Sequence, residues 1–136
     1  MKVKNLILLI IFSFLIVTIV GCNTRHLKYS ANDVTKIELY DLTNENQQLE
    51  KEITNQIEIK ETLEEIEKIT YRTYRSDIKA KSEYFIKIIF SNGNYDQIDP
   101  YRILTYKSSG EIISKKRFQC ELETFMSLYN SIKNKH

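Results

Sequence analysis

The run Tyr71-Arg72-Thr73-Tyr74-Arg75 interleaves aromatic rings with guanidinium groups, and Lys79 and Lys81 follow closely. A guanidinium clamps a carboxylate or phosphate through two parallel hydrogen bonds, and a tyrosine ring supplies rigid amphipathic contact area. Tyr71, Arg72, Tyr74 and Arg75 are therefore candidate binding residues; the competing reading is an ordinary strand face with cross-strand pairs. Cys120 is the other reactive side chain. At the start of a helix its thiol pKa would fall and favour a mixed disulfide, whereas in an apolar setting it would act as a small buried hydrophobe.

Other chemistry lacks its parts. The only histidines are His26, in what reads as a polar tether, and His136, so neither is expected to be held rigidly as a base beside a nucleophile. A zinc site needs three or four ligands at set spacing, and a phosphate-cradling loop needs more glycine than Gly21, Gly93 and Gly110 provide. Without Trp there is no sugar platform for a paired-carboxylate hydrolase. The expectation is a protein that is not an enzyme and takes no metal or cofactor.

The chain holds 20 Lys+Arg against 18 Asp+Glu, and Lys2 and Lys4 lie in its first few residues. The remainder is close to neutral and lacks the strong basic excess of a nucleic-acid binder. Within it, residues 33–67 carry 11 acids and 3 bases, and residues 68–120 carry 11 bases and 5 acids. These charges either interleave across strands or polarise the domain.

Lys2 and Lys4 precede an uncharged run from Leu6 to Val20, 15 residues long. That is shorter than the roughly 20 residues a spanning helix needs, so the segment reads as an export signal. It ends in Ile19-Val20-Gly21-Cys22, which resembles the lipobox of bacterial lipoproteins. The resemblance covers residues 1–22. It implies a diacylglyceryl group on the Cys22 sulfur, cleavage between Gly21 and Cys22, and acylation of the new amine. Two acyl chains are enough for lasting attachment. The expected organisation is a signal peptide over 1–21, a lipidated tether over 22–33 and a single domain over 34–136. The expected place is the extracytoplasmic side of the cell membrane.

The elements that must position any site follow from periodicity. Val34 to Leu42 alternates as a half-buried strand, and Gln48 to Thr54 returns beside it. Asn55 with Glu58 three places on forms a capping pattern, followed by Ile59, Leu63 and Ile66 along a helix over 55–68. Residues 69–74 form a strand. The segment Glu83 to Phe90 is apolar on both faces and belongs at the sheet centre. Asn92-Gly93 signals a type I′ hairpin turn, and Tyr95–Ile98, Tyr101–Lys107 and Glu111–Lys115 continue a meander. Leu122, Phe125, Met126, Tyr129 and Ile132 mark a closing helix. The fold class is α+β, an antiparallel meander sheet with two amphipathic helices packed on one face. This layout resembles small lipoproteins of unassigned function from Gram-positive bacteria.

Three functional expectations follow. The first is a non-enzymatic surface lipoprotein that binds a protein, peptide or envelope component. The second is an immunity-type lipoprotein that uses the acidic stretch from Glu50 to Glu67 to intercept a cationic antimicrobial peptide. The third is a small hydrolase or redox protein acting through Cys120. All three presuppose the anchor. Intact mass of the membrane-extracted protein should lack residues 1–21 and carry a diacylglyceryl group, and Cys22→Ala should abolish both. A full-length unlipidated mass would mean an uncleaved signal anchor.

Overall fold

The computed structural model describes residues 24–73 and 80–136, together with Val3. Strand β1 spans Thr24–His26, β2 Val34–Asp41 and β3 Gln48–Ile53. Helix α1 is Gln56–Glu67, followed by β4 Thr70–Thr73, β5 Tyr84–Phe90, β6 Tyr95–Ile98, β7 Ile103–Tyr106, β8 Ile112–Lys116 and β9 Phe118–Gln119. Helix α2, Leu122–Asn134, comes last. The fold is α+β, with the helices against an antiparallel six-stranded sheet of order β3-β2-β5-β6-β7-β8 and a second sheet of order β1-β4-β9.

The centre of the large sheet follows from alternation in β2 and β5. Ile37 pairs with Ile88 and Leu39 with Ile86, both pairs fully buried on the helix side. Glu38 opposite Lys87, and Tyr40 opposite Phe85, point to the other face. A register shift between Val34 and Lys36 keeps Val34 in the core despite the odd spacing. Glu38 is only 5% exposed. Its carboxylate is held by Lys36 at 2.7 Å, by the Tyr40 hydroxyl at 2.8 Å and by Lys87 at 3.8 Å. Burial works against the charged form, yet these partners outweigh it and hold the carboxyl below its ordinary pKa.

Helix α1 starts where expected, because the Asn55 side chain accepts from the backbone N–H groups of Ile57 and Glu58. It buries Ile59, Thr62, Leu63 and Ile66. Helix α2 buries Phe125, Leu128, Tyr129 and Ile132, while Leu122, one of the expected stripe residues, is 53% exposed. Tyr129 reaches through the core edge to donate to Glu50 at 2.7 Å, and Lys133 binds the same carboxylate at 2.9 Å.

Both Asn-Gly and Ser-Gly connections close three-residue hairpins. Gly93 donates to the Phe90 carbonyl and Phe90 to the Asn94 carbonyl; Gly110 and Lys107 repeat the pattern with Lys107 and Glu111. Among the described residues Gly93 and Gly110 alone have positive φ, +86° and +90°. A type I′ turn would need positive φ at Asn92 as well, so the expected turn is corrected to a left-handed glycine following an ordinary turn.

The tether expected over 22–33 is likewise corrected within the described residues. Thr24–His26 pairs with β4, and Leu27, Tyr29 and Ala31 pack on the core. The Tyr29 N–H donates to Glu67 at 2.9 Å, its hydroxyl donates to Asp96 at 2.9 Å, and His26 Nδ1 donates to the Glu67 carbonyl at 3.2 Å. Apolar residues at every second position drive this docking, so the segment belongs to the domain. Tyr29→Phe should lower unfolding free energy by about 2 kcal/mol, read as a shift in the denaturant midpoint, because it deprives a half-buried carboxylate of a donor. A true tether would give a change within about 0.5 kcal/mol.

Candidate functional site

Helix α1 leads through Lys68 and Ile69 directly into β4, and β9 leads through Cys120 and Glu121 directly into α2. The antiparallel pairing of β4 with β9, Arg72 opposite Gln119 and Thr73 opposite Phe118, therefore fixes the distance between the two helices at this end. Between them lies a cleft of about 710 Å³. Its floor is apolar, from Ile69, Leu128 and Cys120, and its walls carry the hydroxyls of Thr70, Thr124, Ser127 and Ser131. Arg72 and Lys68 bring positive charge to the rim, and Glu65 and Glu121 negative charge.

These charges differ in freedom. Glu65 already accepts from Ser131 at 3.1 Å and is ion-paired with Lys135, whereas Arg72 is exposed. A fork-shaped cation above an apolar floor between hydroxyl-bearing walls suits a chain segment with amide groups and a carboxylate.

The tyrosine-arginine run is split by the fold. Arg72 lines the cleft, but Tyr71 points the opposite way, fully buried in the core against Phe118 with ring centroids 6.4 Å apart. Its candidacy as a contact residue is corrected on that ground, since neighbours in a strand face opposite sides. The Tyr71 hydroxyl has no nitrogen or oxygen partner among the described residues and lies beside the Cys120 thiol, and burial raises its pKa. Tyr74, Arg75 and Lys79 lie outside the described residues; Lys81 is exposed. Cys22 also lies outside them.

The cleft walls escaped the sequence reading. Thr124, Ser127 and Ser131 recur at helical spacing on the polar side of α2, a pattern shared with any solvated helix face. Among the described residues no three His, Cys, Asp or Glu side chains gather where a metal could be held, and no helix is long and apolar enough to cross a membrane.

The acidic stretch is largely matched inside the molecule. Glu50 is held by Tyr129 and Lys133, Glu52 by Lys36, Glu61 and Glu65 by Lys135, and Glu67 by the Tyr29 N–H. Glu58 and Glu64 remain exposed on α1.

Asp99 is buried and accepts from the Tyr101 and Arg102 N–H groups at 2.7 and 3.0 Å. Desolvation raises its pKa, and those bonds and Arg102 oppose the rise. This pins the loop between β6 and β7, whose Pro100 carbonyl receives the Cys120 N–H at 2.9 Å.

Comparison with known proteins adds no relative: no family model matches the chain, and no curated protein or solved structure shows significant similarity to it.

Cys120 is 6% exposed, and burial pushes its thiol up to about 11, which favours the small buried hydrophobe over the helix-activated thiolate. Because the folded-state pKa is raised, the neutral thiol's contribution to stability is complete below the unfolded-state value near 9 and is lost as pH rises through about 11. Native protein should therefore resist a thiol reagent at pH 8 and react stoichiometrically in denaturant. Cys120→Ala should flatten part of the stability loss between pH 9 and 11. Fast labelling of the native state would contradict the buried placement.

Proposed function

We propose that the chain is a lipoprotein held on the extracytoplasmic side of the cell membrane by lipid on Cys22, and that its α+β domain is a non-catalytic binding module. The partner is a protein, peptide or envelope segment taken into the cleft between α1 and α2. The membrane half of this reading is supported by the lipobox Ile19-Val20-Gly21-Cys22. The binding half is carried by one observation: Arg72 stands exposed over an apolar floor flanked by four hydroxyl groups.

The immunity-type reading draws on Glu58 and Glu64, exposed on α1. It is weakened by the internal partners of Glu50, Glu52, Glu61 and Glu65, which reduce the attraction left for a cationic peptide. A redox role meets the buried, high-pKa Cys120.

A photo-crosslinking residue at Thr124, in the cleft wall, should yield a discrete adduct in intact cells. Arg72→Glu should weaken that adduct about tenfold, the equivalent of about 1.4 kcal/mol and typical of losing one anchoring contact. The same substitution should move the unfolding free energy by no more than about 0.5 kcal/mol, since Arg72 is exposed. Equal adduct yield from both proteins would remove the cleft from the reading.

A further inference from the structure

Pairing in the small sheet sets one end of the cleft beside the lipid anchor, an inference that rests on the Cys22 attachment and the binding cleft proposed above. Thr24 stands opposite Arg72 and His26 opposite Thr70. Followed from His26 back to Thr24, β1 approaches Cys22 along the stretch where β4 passes from Thr70 to Arg72. Cys22 precedes Thr24 by two residues, which span at most about 7 Å when extended, and antiparallel partners stand about 5.5 Å apart at most. The Arg72 backbone is therefore within roughly 13 Å of the acylated residue. Leu27, Tyr29 and Ala31 pack on the core, so this distance cannot lengthen unless the segment undocks. Of the two cleft residues on β4, Thr70 and Arg72, the arginine is the nearer to the anchor.

The far end of the cleft is occupied from within, since Glu65 of α1 accepts from Ser131 of α2 and is ion-paired with Lys135. Arg72 and Lys68 make no side-chain hydrogen bond or ion pair among the described residues, and neither does Glu121. Unengaged charge on the lining is thus two cations against one carboxylate, with a cation at the anchor end. From Thr124 to Ser131 the hydroxyls extend along α2 for about 10 Å at 1.5 Å per residue. A lipid phosphate at Arg72 would leave that row unused, whereas the amides of an extended chain match it.

We propose that the cleft takes an acidic peptide segment emerging from the same bilayer, the exposed flank of a membrane-spanning protein. Its carboxylate meets Arg72 and its chain follows α2 away from the membrane. Both partners are held at one surface, so the contact forms at raised effective concentration. A cationic flank in the same place meets Arg72 and Lys68 and is repelled.

The test places the lipidated chain, with a photo-crosslinking residue at Thr124, in phosphatidylcholine vesicles beside a synthetic membrane-spanning peptide. The peptide's exposed flank reads Ser-Glu-Ala-Glu-Ser or, with the opposite charge, Ser-Lys-Ala-Lys-Ser. The glutamate flank should give about ten times the adduct of the lysine flank, the size of one anchoring contact, and Arg72→Glu should reverse the preference. A helical spacer of about 30 Å inserted between Asn23 and Thr24 lifts the domain from the bilayer and should lower the glutamate-flank adduct about tenfold. The flank and spacer comparisons use the unsubstituted cleft, so they decide the matter even where Arg72→Glu impairs folding. Equal adducts from both flanks, a glutamate-flank adduct that survives the spacer, a phospholipid adduct in its place, or no adduct at all overturns the proposal. The cleft reading is judged separately, by the Thr124 adduct in intact cells. Protein that does not float with the vesicles removes the Cys22 reading and this one together.

Discussion

The pairing of β2 with β5 is the constraint on which the remaining structure depends. With Ile37 against Ile88 and Leu39 against Ile86, one face of the sheet becomes continuous apolar surface, and both helices have somewhere to go. The same register delivers Glu38 to the opposite face, where Lys36, Lys87 and Tyr40 meet it. A slip of β2 by one residue would put the Glu38 carboxylate under the helices and Ile37 and Leu39 outside, so the hydrophobic and electrostatic terms select the same alignment. The outer face is finished by stacked rings, Tyr40 on Phe85 and Tyr95 on Tyr106, each with centroids 4.8 Å apart, and by Lys87 lying 4.2 Å over Tyr95.

Once that sheet is fixed, the small sheet follows from chain geometry. Strand β4 emerges from α1 and β9 feeds α2, so their pairing joins the helix ends and leaves the cleft between them. Tyr71, fully buried, holds this second sheet to the first core. One strand thus serves two purposes through its alternation: Tyr71 inward for adhesion, Arg72 outward at the cleft.

Legibility in the sequence tracked the length of each periodic signal. Residues 83–90 and the stripe from Phe125 to Ile132 announced the central strand and the closing helix, because each buries a whole face. Asn55 announced the start of α1 through a cap that needs only neighbouring residues. The β1 segment is hard to read because Leu27, Tyr29 and Ala31 alternate over only five positions and the partners of Tyr29, Glu67 and Asp96, lie 38 and 67 residues away. The turn at Gly93 was recognised by its dipeptide but assigned the wrong type, since loop length is set by the register of the flanking strands. Of the site, Arg72 was legible from its chemistry. Its neighbour Tyr71 was misplaced because the run was treated as one surface, although its strand has two faces. The hydroxyl walls were not legible, as nothing local separates a cleft-facing serine from a solvated one.

Helix α2 is joined to the beginning of the domain. Lys51 of β3 donates to the Ile132 carbonyl at 2.9 Å, and Glu50 receives Tyr129 and Lys133 across 79 and 83 residues. The strip of core formed by Phe125, Leu128, Tyr129 and Ile132 is supplied by α2, which is made after every strand of both sheets. A growing chain that has not yet reached Leu122 therefore has a sheet with no lid over that strip, and closure waits for α2. Order of assembly is written into the topology: the apolar strip stays uncovered until α2 is made, after every strand on which it rests.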